Sequence, residues 1–300
     1  MSFFLTLIAT DHSLTPGHLA RVQKYLDGQG IAPAGAPVWL ASHRAADMPI
    51  AARPHYEQMR TLRRGLDDDG IDILASAGKG RRKTLFFADM DSTIVTTETL
   101  DELAVFAGVG EQVAAITKAA MNNSIDYFES LRQRVEMLKG LPESVLKSVW
   151  EKTQPSPGVE IALKVMNRHG VHSSIVSSGF TYYTSAAAAL YGFDDHFGNV
   201  LEIENGNLTG KVIEPILDKQ AKLETLMAKT AEFGCDLSQT LAIGDGSNDI
   251  PMLQTAGLGI AYHPRPVVAD TIDNQIIHTD FISVLFAQGY TEADIRAVMN

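Results

Sequence analysis

The chain has a single cysteine, Cys235, among 300 residues. No intramolecular disulfide can form, so a packed core must hold the fold, as expected of a chain living in a reducing compartment. Long apolar runs are also missing: none approaches the roughly 20 residues that cross a bilayer. The opening stretch MSFFLTLIATDHSL has no basic lead and meets Asp11 soon after its apolar run. It is expected to form a first strand and not a signal peptide, which makes the cytoplasm the expected location. Positive charge is scarce, with 25 Lys and Arg against 36 Asp and Glu and a net charge of −11. That balance argues against nucleic acid or an anionic membrane as a partner. It also means that an anionic substrate would need locally concentrated positive charge: a divalent cation with one Lys and one Arg would supply it.

What is present is ordinary globular material, 45% hydrophobic and 20% charged, long enough for two domains. Residues 1–80 read β-α-β-β-α-β. Phe3 to Ala9, Val38 to Ser42, Asp47 to Ile50 and Ile71 to Leu74 are the strands. The helices begin near Thr15-Pro16 and His55, with Met59, Leu62 and Leu66 along one face of the second. This order suggests a ferredoxin-like unit, similar in element order to the small ACT domains attached to amino-acid enzymes. It is a candidate for ligand sensing or for pairing two copies in a homodimer. The following GKGRRK, residues 78–83, reads as a solvated linker. The second domain is expected over 81–300.

The stretch LFFADMDSTIV, residues 85–95, organises that second domain. Leu85 to Ala88 reads as a buried parallel strand. Asp89 and Asp91, two apart, can share one face at its carboxyl end, where open α/β folds bind ligands. Two carboxylates that close repel unless a cation, a proton or separate roles resolve the conflict. About 98–155 shows only helical spacing: Leu100 to Phe106, Gln112 to Met121, Tyr127 to Leu138 and Glu143 to Trp150. The segment is a natural lid over the sheet's mouth. In its third helix Phe128, Leu131, Val135 and Leu138 form the apolar stripe, with Arg132 and Arg134 flanking it; periodicity does not say which arginine meets a ligand.

The α/β pattern then resumes. Val171 to Ser178 is a strand ended by Gly179, where either Ser177 or Ser178 could reach a phosphate oxygen. Strands over Asn199 to Ile203 and Leu208 to Ile213 flank Asn205-Gly206, a hairpin signal. Leu217 to Phe233 is a helix with Lys222 near its start. LAIGDGSNDIPML, residues 241–253, is a second buried strand running into an acidic loop with Asp245, Asn248 and Asp249. Oxygen donors with no His or Cys beside them suit Mg²⁺. His263 and Arg265, in the AYHPRP turn, read as structural.

DMDST, a Ser-ended strand, a helix-borne lysine and GDGSND occur in the order seen in haloacid-dehalogenase-like phosphatases, over about residues 84–280. DMDSTIVTTETLDELA and SIDYFESLRQRVEMLKGLP further resemble the phosphoserine phosphatase subfamily. The fold so implied is an α/β, Rossmann-like parallel sheet core with an inserted helical cap, preceded by the small α+β domain. The resemblance implies that Asp89 is the nucleophile that accepts phosphate and that Asp91 is the general acid and base. Ser177 and Lys222 would hold the phosphoryl oxygens. Mg²⁺ would lie on Asp89, the Asp91 backbone carbonyl and Asp245, supported by Asp249 and Asn248. Glu98 would take the ammonium and Arg134 the carboxylate of O-phospho-L-serine, with Met121 and Phe128 as apolar walls. The subfamily usually has Ser-Gly-Gly where this chain has Ser177-Ser178-Gly179; the Ser178 amide would still face phosphate. Two other activities remain open at this level: phosphotransfer to an alcohol such as homoserine, and non-catalytic amino-acid sensing.

Overall fold

A computed structural model describes residues 2–121 and 125–299, with the side chain of Met121 left out. The expected apolar wall at Met121 therefore falls outside the described side chains, although its backbone ends a helix. Among the described residues no helix is long and apolar enough to cross a membrane.

The first sheet contains β1 (Phe3–Ala9), β2 (Val38–Ala41), β3 (Ala45–Ile50) and β4 (Ile71–Ala77), in the order β2-β3-β1-β4. Every neighbouring pair is antiparallel. Strand alternation divides β1 between two cores. Leu5, Leu7 and Ala9 pack with Leu19, Val22, Leu26, Met59 and Leu62 from the helices Pro16–Gly28 and Tyr56–Arg64. Ile8, with Leu74 of β4, faces the other way into the main core. Both faces of the small sheet are thus covered.

The stretch 78–83 is not the solvated hinge its charge run suggests. Arg81 donates to both carboxylate oxygens of buried Asp47, to Thr6 and to the Phe286 and Ala287 carbonyls. Its guanidinium also stacks 4.2 Å from the Phe4 ring centre. Lys83 is buried, its ammonium on the carbonyls of Gly80 and Ser238 at 2.9 and 2.7 Å. Asp72 of β4 accepts the backbone N–H groups of Ile277, His278 and Thr279 and the Thr279 hydroxyl. Asn274 closes a two-way hydrogen bond with the Ala75 backbone. These contacts bind the small sheet to the second.

That second sheet is built from β5 (Leu85–Ala88), β6 (His172–Phe180), β7 (Asp195–Glu204), β8 (Asn207–Ile213), β9 (Thr240–Gly244), β10 (Leu258–Tyr262) and β11 (Gln275–Ile276). Their order is β11-β10-β9-β5-β6-β7-β8, parallel except for the β7–β8 hairpin. Asn205 and Gly206 turn that hairpin with φ of 50° and 74°, the left-handed pair that matches strand twist. β5 is fully buried, with β6 and β9 on its two sides. Chain connections diverge there, which opens a crevice beyond the carboxyl ends.

Between β5 and β6 the described residues form the insert helices Thr99–Phe106, Gly110–Met121, Tyr127–Glu136 and Ser144–Trp150, and then Val159–Arg168, which leads into β6. Leu103, Val113, Leu131, Val135, Leu138, Leu146 and Val149 are buried among them. Asp126 starts the third helix, its carboxylate accepting the N–H groups of Phe128 and Glu129, donors that a helix start otherwise leaves unmet.

Candidate active site

β5 continues the ladder one step past its end, with the Asp89 N–H donating to the Ile243 carbonyl at 3.0 Å. This fixes Asp89 at the mouth of the crevice, 6% exposed. Lys222, 1% exposed, reaches in from the helix Lys219–Glu232 and bonds Asp89 at 2.8 Å and Asp249 at 2.6 Å. Burial alone would favour the neutral amine, but Asp249 and Asp89 outweigh it and hold Lys222 charged well above its ordinary range. The loop after β9 brings Asp245 and Asp249 to the same place. The Asp249 carboxylate accepts the Gly246 N–H at 2.9 Å. A Cβ on Gly244 would fall 2.3 Å from the Asp249 carboxyl carbon, so only glycine lets the strand end approach it.

Carboxylate oxygens of Asp89, Asp245 and Asp249 lie within 4.8 Å of one another. Burial and the charge of Asp89 push Asp245 up to about 6, against the pull of Arg265. The same two causes push Asp249 up to about 7, against Lys222. Three buried carboxylates share the Lys222 ammonium and, at Asp245 alone, the Arg265 guanidinium, which is itself shared with Glu98, so they remain short of positive charge. The all-oxygen donor set fits a hard divalent cation.

Asp91 has a different environment. Its carboxylate is not one of the three; it accepts the Thr99 hydroxyl at 3.1 Å, and its other oxygen is buried with no partner among the described residues. Burial first, then the charges of Glu98 and Asp89, hold its pKa well above the ordinary carboxylate range. Asp91 is therefore suited to carry a proton, whereas Asp89 lies against the Lys222 ammonium. Ser177, 2% exposed, lies on the neighbouring strand β6. A Cβ on Gly179 would meet the Asp91 carboxylate at 3.0 Å and the Ser177 hydroxyl at 3.1 Å, which places these groups around one small space. Ser178 accepts the Asn248 carboxamide N–H at 3.1 Å.

Over this floor stands the helical insert. Glu98 accepts hydrogen bonds from Ser92 at 2.8 Å and Arg265 at 2.6 Å. Arg134 donates to the Ser130 carbonyl and, at 3.4 Å, to Thr117. Burial weakens its hold on its proton, opposed by Tyr127, Asp101 and Glu98. No carboxylate among the described residues forms an ion pair with it. A partly buried guanidinium in that state is a ready partner for an anion. Arg132, its rival by periodicity, pairs with Glu214 on the surface at 2.7 Å.

One expectation needs correction, and one residue read as structural proves to brace the site. Phe128 is not an apolar wall: it is 38% exposed, with its ring edge-on to Tyr127. Tyr127 faces inward instead, beside Ser178, Asn199 and Lys222. The helix starts at Tyr127, which lies on the same face as Leu131 and Arg134 at spacings of four and seven. Leu131, Val135 and Leu138 of the expected stripe are buried; only its first member differs, Tyr127 taking the place expected of Phe128. Arg265 is not merely a turn residue. Following β10, it donates to Asp245 at 3.3 Å and to Glu98, joining the acidic floor to the insert. Its place just beyond the end of a parallel strand next to β9 was the available signal. A cavity of about 400 Å³ opens beside it, lined by Ser92, Thr96, Asp245 and His263 among others.

The chain belongs to the haloacid dehalogenase-like hydrolase family, whose model matches residues 86–254. A solved haloacid dehalogenase family hydrolase from Salmonella enterica serovar Typhi is similar along nearly the whole length. It is 30% identical with a TM-score of 0.83, over 95% of this chain and 98% of that one. Within the family, the chain is similar to phosphoserine phosphatases. One from Mycobacterium tuberculosis is 40% identical over 217 residues, 72% of this chain and 53% of that protein. This chain thus spans about half the length of that relative. The solved phospho-aspartyl intermediate analogue of a phosphoserine phosphatase is 36% identical with a TM-score of 0.64, over 70% of this chain and 100% of that one.

Proposed function

We propose that this chain hydrolyses O-phospho-L-serine to L-serine and inorganic phosphate through a phosphoaspartyl intermediate on Asp89. The observation that carries the reading is one crevice with two recognition ends. Its floor joins Asp89, Lys222 and the acidic triad, and its roof holds Glu98 and the carboxylate-free Arg134. A phosphate ester whose far end is an amino acid matches both.

The buried neighbours divide the labour between the two aspartates. Asp89 attacks phosphorus in line, forming an Asp89 O–P bond as the P–O bond to the serine oxygen breaks. Asp91 gives its proton to that departing oxygen, so serine leaves as a neutral alcohol. Asp91, now a carboxylate, then takes a proton from water as the water attacks phosphorus. Phosphate leaves and Asp89 is restored, with Asp91 protonated again. Ser177 and Lys222 contact the phosphoryl oxygens and offset their charge. Asp89, Asp245 and Asp249 would hold a divalent cation, Mg²⁺ in this reading, with Asn248 bracing their loop. When bound, that cation supplies electrostatic stabilisation of the phosphoryl group.

The lone cysteine and acidic composition support a cytoplasmic setting. Exposed Val38 and Trp39 on edge strand β2 support pairing of two copies through the N-terminal sheet. Steady-state phosphate release with Mg²⁺ and with EDTA tests the activity. Turnover of phosphoserine that EDTA abolishes is expected. No turnover of phosphoserine, with another phosphate ester cleaved well, would overturn the substrate.

A further inference from the structure

The insert carries the groups read as taking the amino-acid end of the substrate, while the core carries the phosphate groups. Arg265 ties the start of the insert, at Glu98, to the acidic floor, but the helix that carries Arg134 needs its own hold on the core. Their surface contact through Arg132 and Glu214 is open to solvent on both sides, at 51% and 59% exposure, and such pairs contribute little. The Gly140 N–H to Leu208 carbonyl bond, at 2.8 Å, ties the insert to the β7–β8 hairpin, away from the acidic floor.

Tyr127 lies closer to the chemistry. It begins the helix that carries Arg134, and its hydroxyl donates to the Leu217 carbonyl at 3.0 Å. Leu217 immediately precedes Asp218, whose side chain caps the helix carrying Lys222. The Leu217 N–H donates to the Asn199 carboxamide oxygen at 2.8 Å, and the Asn199 N–H group donates to the Ser178 carbonyl at 2.7 Å. Asn199 is 1% exposed. The Ser178 hydroxyl in turn accepts from Asn248. One phenol on the insert therefore meets a partly buried network, centred on Asn199, that joins β6, the lysine helix and the acidic loop. Burial keeps that phenol protonated, so it remains a donor.

We propose that the Tyr127 hydroxyl is a positioning group that seats the insert on the phosphate-binding edge of the core and thereby sets affinity for the amino-acid end of the substrate. The proposal rests on the reading of Glu98 and Arg134 as head-group ligands. It does not make Tyr127 a catalytic residue, because its partner is a backbone carbonyl.

Y127F removes the hydroxyl and keeps the ring. Its KM and kcat are compared with wild type on phosphoserine and on p-nitrophenyl phosphate, which has no amino-acid end. Loss of one hydrogen bond is expected to raise KM for phosphoserine about fivefold, with the aryl phosphate unchanged. Amide hydrogen exchange across residues 127–136 is expected to quicken without change in β5 or β9. A phosphoserine KM within twofold of wild type, an equal loss on both substrates, or unchanged exchange would each overturn the proposal. A wild-type enzyme that cleaves only the aryl ester would defeat the substrate assignment instead; the exchange measurement then still decides the role of the hydroxyl.

Discussion

Replacing Lys222 by methionine keeps a side chain of similar length and removes its charge. The ammonium is 1% exposed and lies 2.8 Å from Asp89 and 2.6 Å from Asp249, so its loss leaves two buried carboxylates facing each other. Breaking a buried pair in this way costs about 3–5 kcal/mol. The cost should depend on pH in a definite direction. Asp249 is pushed up to about 7 from 3.8 even with Lys222 present, and without it the value rises further. Between those two values the folded protein binds a proton that the unfolded chain does not, so folding stability falls as pH rises. At pH 5 Asp249 takes up that proton readily and relieves part of the repulsion; at pH 8 the same uptake costs more free energy. Urea denaturation in EDTA at pH 5 and pH 8 therefore should show a larger deficit for K222M at pH 8, about 3 kcal/mol or more. Added Mg²⁺ should recover part of it, because a ligand that binds only the folded state stabilises it. A deficit below about 1 kcal/mol at both pH values, or an equal deficit at each, would refute the account of Lys222 as the internal counter-charge.

Other consequences are equally specific. R134K should lower kcat/KM for phosphoserine by about 10- to 100-fold, mostly through KM, because a charged hydrogen-bonding group contributes roughly 1.5–3 kcal/mol. Its turnover of p-nitrophenyl phosphate should stay near wild type, and steady-state kinetics on the two substrates checks the split. R81M should destabilise the chain by about 3–5 kcal/mol in urea denaturation, since it strands buried Asp47; the double variant R81M/D47L should recover much of that loss. Equal destabilisation by single and double variants would show that the pair itself matters little.

The legible parts of this protein share a physical cause. Strands of a parallel sheet are buried on both faces, so Leu85–Ala88 and Thr240–Gly244 read as short apolar runs. The loops they end in carry Asp89, Asp91, Asp245 and Asp249 in sequence-local clusters. Asn205-Gly206 was equally readable, because left-handed backbone selects few residues. What escaped notice depends on partners far along the chain. Arg81 looks solvated until Asp47, 34 residues before it, and the Ala287 carbonyl, 206 residues after it, are placed around it. Arg265 reaches back 167 residues to Glu98. Tyr127 and Phe128 both sit at helical spacing from Leu131. Only the packed insert shows which of them faces the core.

The central claim is that Asp89 carries the phosphoryl group. Acid quenching of the enzyme during turnover of phosphoserine labelled on phosphorus, followed by peptide mapping, tests it directly. The account predicts a hydroxylamine-labile label on the peptide containing Asp89, lost in D89N. Label on any other residue, or steady turnover with a label that survives in D89N, would contradict it.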